Sequence, residues 1–161
     1  MSRPALFATA LSVRDFRGYG QFDIELPATP CVVLLSGPNG LGKTSLFEAV
    51  EWALTGTVKR LDLVSGGAVD PRDLARRAPG VDAFEVGLSF RDESGMEARV
   101  SRTQLIPANG KAPDAIGTNV DAVVDALRSD DARWNVTGKN LAEYLHLTHF
   151  HAQVTSSSLA I

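Results

Sequence analysis

The segment that most constrains this chain is a glycine-rich loop that follows a continuous apolar run. The loop, Gly37 to Thr44, reads Gly-Pro-Asn-Gly-Leu-Gly-Lys-Thr and fits the spacing G-x-x-x-x-G-K-[ST]. Residues 32–35, immediately before it, are all apolar, a pattern that predicts a parallel strand buried on both faces. The order of strand, glycine loop and Lys-Thr is that of a phosphate-binding P-loop.

The residues after the loop predict a helix. Leu46, Val50 and Leu54 recur at a spacing of four and would pack against the sheet, and Gly56 is a suitable helix end. A helix that begins near Thr44 would direct the positive end of its dipole at a phosphate. In such a loop glycines admit the anion to the backbone N–H groups, Lys43 reaches the β- and γ-phosphates, and the Thr44 hydroxyl ligates Mg²⁺. The chain is therefore predicted to bind a nucleoside triphosphate.

The flanking motifs indicate which kind of nucleotide-binding protein this is. Upstream lies Asp15-Phe-Arg-Gly-Tyr19, followed by a segment whose alternation predicts a half-buried strand, Phe22-Asp-Ile-Glu-Leu26. Downstream lies Ser45-Leu-Phe-Glu-Ala-Val-Glu-Trp-Ala-Leu-Thr-Gly56. With the loop between them, these segments resemble the N-terminal half of the ATPase head in the SMC/Rad50/RecF/RecN group, a branch of the ABC ATPases. The match is dense over residues 11–56 and thin afterwards.

The resemblance implies a fold and a set of site residues. The fold is an α/β P-loop NTPase, the N-terminal lobe of an ABC-type head, with a mixed sheet and an antiparallel side sheet. Residues 1–161 would form part of a single domain that is incomplete without a C-terminal lobe. ATP and Mg²⁺ are the implied cofactors, with Lys43 and Gln153 in catalysis, Thr44 and Gln153 at the metal, and Arg14 or Arg17 near the phosphates or base. Gln153 resembles the Q-loop glutamine, and the residues implied to hold the nucleotide in the loop are Pro38, Asn39, Gly40, Leu41, Gly42, Lys43, Thr44 and Ser45.

The resemblance also implies partners. A second head is expected to dimerise with this one in an ATP-dependent manner, and DNA is expected to be engaged. The 161 residues contain no apolar strand ending in Asp-Glu and no signature motif after Gln153, so we expect the N-terminal portion of a longer chain, or a partner lobe on a separate polypeptide. Two alternatives remain open: an ATPase module fused to a nuclease, as in overcoming-lysogenisation-type proteins, and a regulatory module that binds nucleotide without turnover.

Outside the motifs the predictions are coarser. Alternation over Phe84–Phe90 and Met96–Val100 predicts a β-hairpin. Residues 107–118 are rich in Pro, Gly and Ala and predict a loop, and residues 57–82 predict irregular structure with one helical turn near 73–77. Short helices are expected over residues 120–127 and 140–147.

Several other patterns are better explained without a function. Val64-Ser-Gly-Gly-Ala68 is similar to an ABC signature but precedes Gln153, so it is interpreted as a loop. The apolar run at residues 122–125 is too short for a Walker B strand and belongs to a helical pattern. His146, His149 and His151 lack the convergence that zinc requires. The cluster Arg72, Arg76 and Arg77 interleaves with Asp70 and Asp73, which favours a self-paired solvated face over a nucleic-acid contact.

The amino-acid composition limits the class of protein to which this chain can belong. Apolar residues make up 44% and charged residues 22% of the chain, values ordinary for a folded domain. The single Cys31 lies in the apolar run, so we expect a buried thiol and no disulfide framework. No signal peptide and no membrane span are evident, which predicts a cytoplasmic protein with no membrane partner. The net charge of −3 argues neither for nor against DNA.

Overall fold

A computed structural model describes residues 6–27, 29, 31–92 and 94–119. Its elements, in chain order, are β1 (Leu6–Phe16), β2 (Tyr19–Glu25), α1 (Lys43–Thr55), α2 (Lys59–Ser65), α3 (Pro71–Leu74), β3 (Ala83–Asp92), β4 (Glu97–Leu105) and β5 (Ile116–Thr118). No helix of these residues is long and apolar enough to cross a membrane.

The strands form one antiparallel sheet in the order β2-β1-β3-β4-β5. The predicted hairpin is present, since β3 pairs with β4, and the predicted strand at residues 22–26 lies in β2, which pairs with β1. The register sets Val13 opposite Phe22 on one side and opposite Val86 on the other. Because side chains alternate along a strand, this register collects the apolar residues on one face of the sheet.

Helix α1 covers that apolar face. Leu46 and Leu54 are buried and Val50 packs against the core, as the helical spacing predicted. Trp52 of α1 meets Phe84 of β3 with ring centroids 4.7 Å apart, and Phe16 lies 5.5 Å from Phe84. These aromatic rings fix α1, and with it the glycine loop at its N-terminus, against the sheet.

The strand predicted before the loop is not formed, and this expectation was wrong. Residues 31–38 carry no strand pairing, Val32 is 96% exposed and Leu34 is 84% exposed. Cys31 is exposed rather than buried. A strand that is apolar on both faces needs neighbours on both sides, and the described residues supply none. The sheet of the described residues is therefore wholly antiparallel, without the parallel part of the expected mixed sheet.

Two further predictions need correction. The segment 57–82 contains α2, which was not expected, and its helical turn is α3, which begins at Pro71 rather than near residue 73. The segment 107–118 is not all loop, because residues 116–118 form β5 and pair with β4. The helices expected over 120–127 and 140–147, Gln153, and the three histidines lie outside the described residues.

Candidate functional site

Two positions near the end of the glycine loop have backbone conformations that only glycine adopts without strain. Gly40 has φ 89° and Gly42 has φ 84°, both in the left-handed region. A Cβ atom on Gly42 would lie 3.1 Å from ring atoms of Tyr19. The hydroxyl of Tyr19 donates a hydrogen bond to the carbonyl oxygen of Leu41 at 3.3 Å, and burial raises the pKa of Tyr19. The loop is thus shaped by its own glycines and held from the side by the residue that opens β2.

Lys43, the first residue of α1, folds back over the loop. Its Nζ donates hydrogen bonds to the carbonyl oxygens of Gly37 at 2.6 Å and Pro38 at 2.8 Å. The ammonium group therefore lies against the backbone of the loop, and an anion held by the loop N–H groups would compete with these carbonyls for it. A triphosphate would replace these neutral carbonyl acceptors by charged ones, which form stronger hydrogen bonds.

The N-terminus of α1 is suited to an anion. No side chain caps it, and no acidic residue lies in its first turn, which contains Thr44 and Ser45. The helix is 13 residues long, so its dipole contributes a positive potential at this end. These features fit a triphosphate with Mg²⁺, for which Thr44 supplies a hydroxyl at the position that a P-loop requires.

The turn between β1 and β2 lies against α1 and α3 and is strained. Asp15 has φ 48° and Arg17 has φ 53°, unusual values for residues other than glycine. The backbone N–H of Arg17 donates to the carbonyl oxygen of Leu74 at 2.7 Å, and its Nη1 donates to the carbonyl oxygen of Asp73 at 3.0 Å. Strain of this kind persists where surrounding contacts over-determine it, and it concentrates at functional sites.

Arg14, the other arginine expected near the nucleotide, is engaged on the sheet. Its Nη2 lies 2.8 Å from Oδ1 of Asp23 and donates to Oδ2 at 2.9 Å. Hydrogen bonds from Gln21 and Arg14 lower the pKa of Asp23. Of the two arginines, Arg17 is the one that the structure brings against the helix that carries the loop.

The sequence reasoning missed two buried carboxylates on α1. Glu48 is 3% exposed and Glu51 is 7% exposed. Glu48 contacts Arg17 and Arg60, whereas Oε1 of Glu51 accepts a hydrogen bond from the backbone N–H of Lys59 at 3.0 Å. The Glu-Ala pair in the motif after the loop was the available signal, but a helical apolar stripe gives no reason to bury a carboxylate.

The patterns interpreted as lacking a function take ordinary places. Residues 64–68 form the end of α2 and the turn after it, where Gly66 caps the helix C-terminus in the left-handed conformation. Arg72 pairs with Asp70 and Arg77 with Asp73, each at 3.4 Å, so that part of the cluster is self-paired.

An open cleft of about 490 Å³ next to α2 is lined by Thr57, Lys59, Asp62, Leu63, Gly66 and Gly67.

A glycine loop at the N-terminus of a buried helix, covered by the lysine that begins the helix, defines a P-loop nucleotide-binding protein. The chain belongs to the AAA domain family, whose model matches residues 10–131. That span includes the strained turn, the loop, α1 and all of β3 and β4.

Curated relatives indicate to which P-loop proteins the chain is similar. A DNA replication and repair protein RecF from Chloroflexus aggregans is 46% identical over 63 residues, which cover 37% of this chain and 16% of the relative. The DNA repair protein rad-50 of Caenorhabditis elegans is 34% identical over 109 residues, or 63% of this chain and 8% of that protein. The resemblance to the N-terminal part of an SMC/Rad50/RecF-like ATPase head is thereby confirmed. The chain spans only a small part of the length of these relatives.

Solved structures agree on the fold. A structure of the recombination mediator protein RecF with ATP matches with a TM-score of 0.50 and 20% identity, over 71% of this chain and 28% of that one. A chain from a study of ATP-driven dimerization and DNA-stimulated activation of SMC ATPases matches with a TM-score of 0.53 and 15% identity, over 96% of this chain and 99% of that one. The expected fold, the N-terminal lobe of an ABC-type P-loop head, is confirmed by these matches.

Proposed function

We propose that this chain is the ATP-binding part of an SMC/Rad50/RecF-like ATPase head that couples ATP binding and hydrolysis to engaging or processing DNA. One observation carries the proposal: Lys43 lies over a loop in which Gly40 and Gly42 adopt left-handed conformations at an uncapped helix N-terminus. Each of these features serves a bound triphosphate, and together they have no evident structural purpose.

In this proposal the backbone of residues 38–45 holds the phosphates. Lys43 neutralises charge on the β- and γ-phosphates, and Thr44 ligates the Mg²⁺ that bridges them. Arg17 approaches the phosphates from the strained turn, while Gln153, beyond the described residues, senses the γ-phosphate and the metal. Catalysis then consists of positioning and charge stabilisation, as in phosphoryl transfer generally.

The partners follow from the relatives named above. Proteins called DNA replication and repair protein RecF and DNA repair protein rad-50 are its sequence relatives. We infer that DNA is the macromolecule that this head serves, and that a second head joins it when ATP is bound. Hydrolysis would need a Walker B strand and a signature motif, which residues 1–161 do not supply.

The test of the proposal is a titration of Mg·ATP into the protein and its Lys43→Ala variant. Loss of two charge-assisted contacts to phosphate should weaken binding by about a hundredfold or more. Lys111→Ala, which removes an exposed lysine from the loop after β4, is the matched control and should bind as the parent does. Parent-like affinity of Lys43→Ala would refute the assigned site.

A further inference from the structure

Glu48 holds a carboxylate inside the fold between two arginines from different elements. Its Oε1 accepts hydrogen bonds from Nε of Arg60 at 3.0 Å and from Nη2 of the same side chain. Its Oε2 lies 3.4 Å from Nε of Arg17 and is buried without a hydrogen-bond partner among the described residues. One carboxylate thus connects the β1–β2 turn, α1 and α2.

Stability alone is a poor explanation for this arrangement. Burying a carboxylate costs several kcal/mol of solvation, and a buried ion pair commonly does no better than apolar residues of similar volume. Here one oxygen of Glu48 even lacks a full hydrogen bond. A leucine on this face of α1 would extend the core formed by Leu46, Ala49 and Trp52 at no such cost. The carboxylate is therefore better explained by what it does to its arginine partners.

Arg17 is the partner whose chain neighbour contacts the nucleotide loop. Two residues after it, Tyr19 at the start of β2 donates a hydrogen bond to Leu41 in the loop. Glu48 follows Lys43 by five residues, which is about 7.5 Å along the helix axis. The guanidinium of Arg17 is held through Nε by Glu48 and through Nη1 by the carbonyl oxygen of Asp73.

We propose that Glu48 is a positioning residue that orients the Arg17 guanidinium toward the nucleotide phosphates. The two contacts that hold Arg17 do not engage its Nη2, and they fix the plane of the guanidinium. A fixed guanidinium forms a charge-assisted bond to phosphate at a lower entropic cost than a mobile one. This inference rests on the proposed function, because it needs a phosphate ligand at the loop.

The experiment is a double-mutant cycle on Mg·ATP affinity with Glu48→Gln, Arg17→Ala and the pair. Each single variant is expected to bind about tenfold more weakly than the parent, and the double variant also about tenfold, because both remove the same contact. Thermal unfolding of every variant is followed in parallel. If Glu48→Gln weakens binding by the same factor in the parent and in the Arg17→Ala variant, the double variant binds about a hundredfold more weakly than the parent. That result would mean that Glu48 acts on the fold alone, and it would overturn the proposal.

Glu51→Gln is the matched control, because Glu51 is buried one turn further along α1 and accepts its hydrogen bond from the backbone N–H of Lys59. It should leave ATP affinity unchanged, and a tenfold loss there would also overturn the proposal. If Glu48→Gln fails to fold, Glu48→Asp keeps the charge and withdraws it by one methylene. Glu48→Asp should still weaken binding, and parent-like affinity of this variant would count against the positioning role of Glu48. Failure of the Lys43→Ala test refutes the site itself, whereas failure of the cycle alone refutes only the role of Glu48.

Discussion

At the scale of single residues, α1 carries two buried carboxylates whose surroundings differ. Glu48 faces guanidinium groups, while Glu51 faces a backbone N–H from Lys59. Burial is the main cause that raises the pKa of Glu51, and the nearby carboxylates of Glu48 and Asp62 add to it, against the opposing hydrogen bond from Lys59. The same residue type on one helix thus serves as a partner for cations in one case and as a helix-to-helix connector in the other.

The raised pKa of Glu51 predicts a pH-dependent effect of Glu51→Gln on stability. The folded state holds the proton more tightly than the unfolded chain, whose pKa is near 4.5. As pH rises from 4.5 through the folded-state pKa, the unfolded chain releases its proton first and the free energy of unfolding falls. Glutamine avoids this loss and can still accept from Lys59. The variant should therefore unfold at a higher temperature than the parent at pH 7.

The difference between Glu51→Gln and the parent should shrink as the pH is lowered toward 4, because both forms are then neutral. Thermal unfolding measured in steps between pH 4 and pH 8 checks this. A variant that is less stable than the parent at pH 7, or whose advantage does not depend on pH, would show that ionisation of Glu51 is not a source of instability.

Local chemistry decides how much of the site could be predicted residue by residue. Gly40, Gly42 and Lys43 were predicted because a phosphate loop restricts backbone angles and charge within a few neighbouring positions. Glu48 and Arg17 are 31 positions apart, and nothing local reports their contact. A buried charge is explained by partners that only the fold provides, so periodicity could not have identified it.

At the scale of elements, the two ends of α1 are treated differently. The N-terminus has no side-chain cap, while the C-terminus is closed by Gly56, whose N–H donates to the carbonyl oxygen of Trp52 at 2.8 Å. No basic residue lies in the last turn of the helix. Instead Arg102 of β4 donates through Nε to the carbonyl oxygen of Ala53 at 3.2 Å, with its guanidinium 5.9 Å from the centre of the Trp52 ring.

Arg102→Met should therefore destabilise the protein by about 1–2 kcal/mol, because it removes a cation from a helix C-terminus and from an aromatic face while keeping the apolar stem. Urea unfolding measures the change. Arg99→Met on the exposed face of the same strand is the control and should change stability by about 0.5 kcal/mol or less. Equal midpoints for the two variants would mean that the contact with α1 contributes nothing.

Elements with a buried apolar face could be predicted, and those without one could not. The strands of the two hairpins alternate because one face packs on α1, so their sequences carry the pattern. Helix α2 buries none of its residues and has no such pattern. One contact with α1 and one with the following segment hold it instead: Glu51 accepts from its first N–H, and Asp62 accepts from the N–H of Val69 at 3.0 Å.

At the scale of the whole molecule, the largest departure from expectation is the apolar run before the loop. Its alternate residues Val32 and Leu34 are almost fully exposed, and Val33 is 45% exposed. An apolar segment of this length normally lies inside a sheet. A row of large apolar side chains that are exposed is typical of a surface that another strand covers. The pattern predicted a buried strand, and that prediction was wrong for the described residues, because they provide no strand beside residues 32–35.

The exposed apolar run before the loop leads to a prediction about turnover. In the proposed site the loop, Lys43 and Thr44 would bind Mg·ATP, but polarising the attacking water would need the acidic pair of a Walker B strand. The sequence contains no apolar run that ends in Asp-Glu. The purified chain should therefore bind ATP and hydrolyse it at far below about 1 s⁻¹, the lower end of typical enzyme rates.

Phosphate release under saturating Mg·ATP measures that rate, and Lys43→Ala prepared in the same way gives the background from contaminating ATPases. A rate for the parent that equals this background, together with measurable ATP binding, is the expected result. A rate of about 1 s⁻¹ or more, abolished by Lys43→Ala, would instead mean that these 161 residues hold a complete catalytic site, and the expectation that a C-terminal lobe completes the site would be wrong.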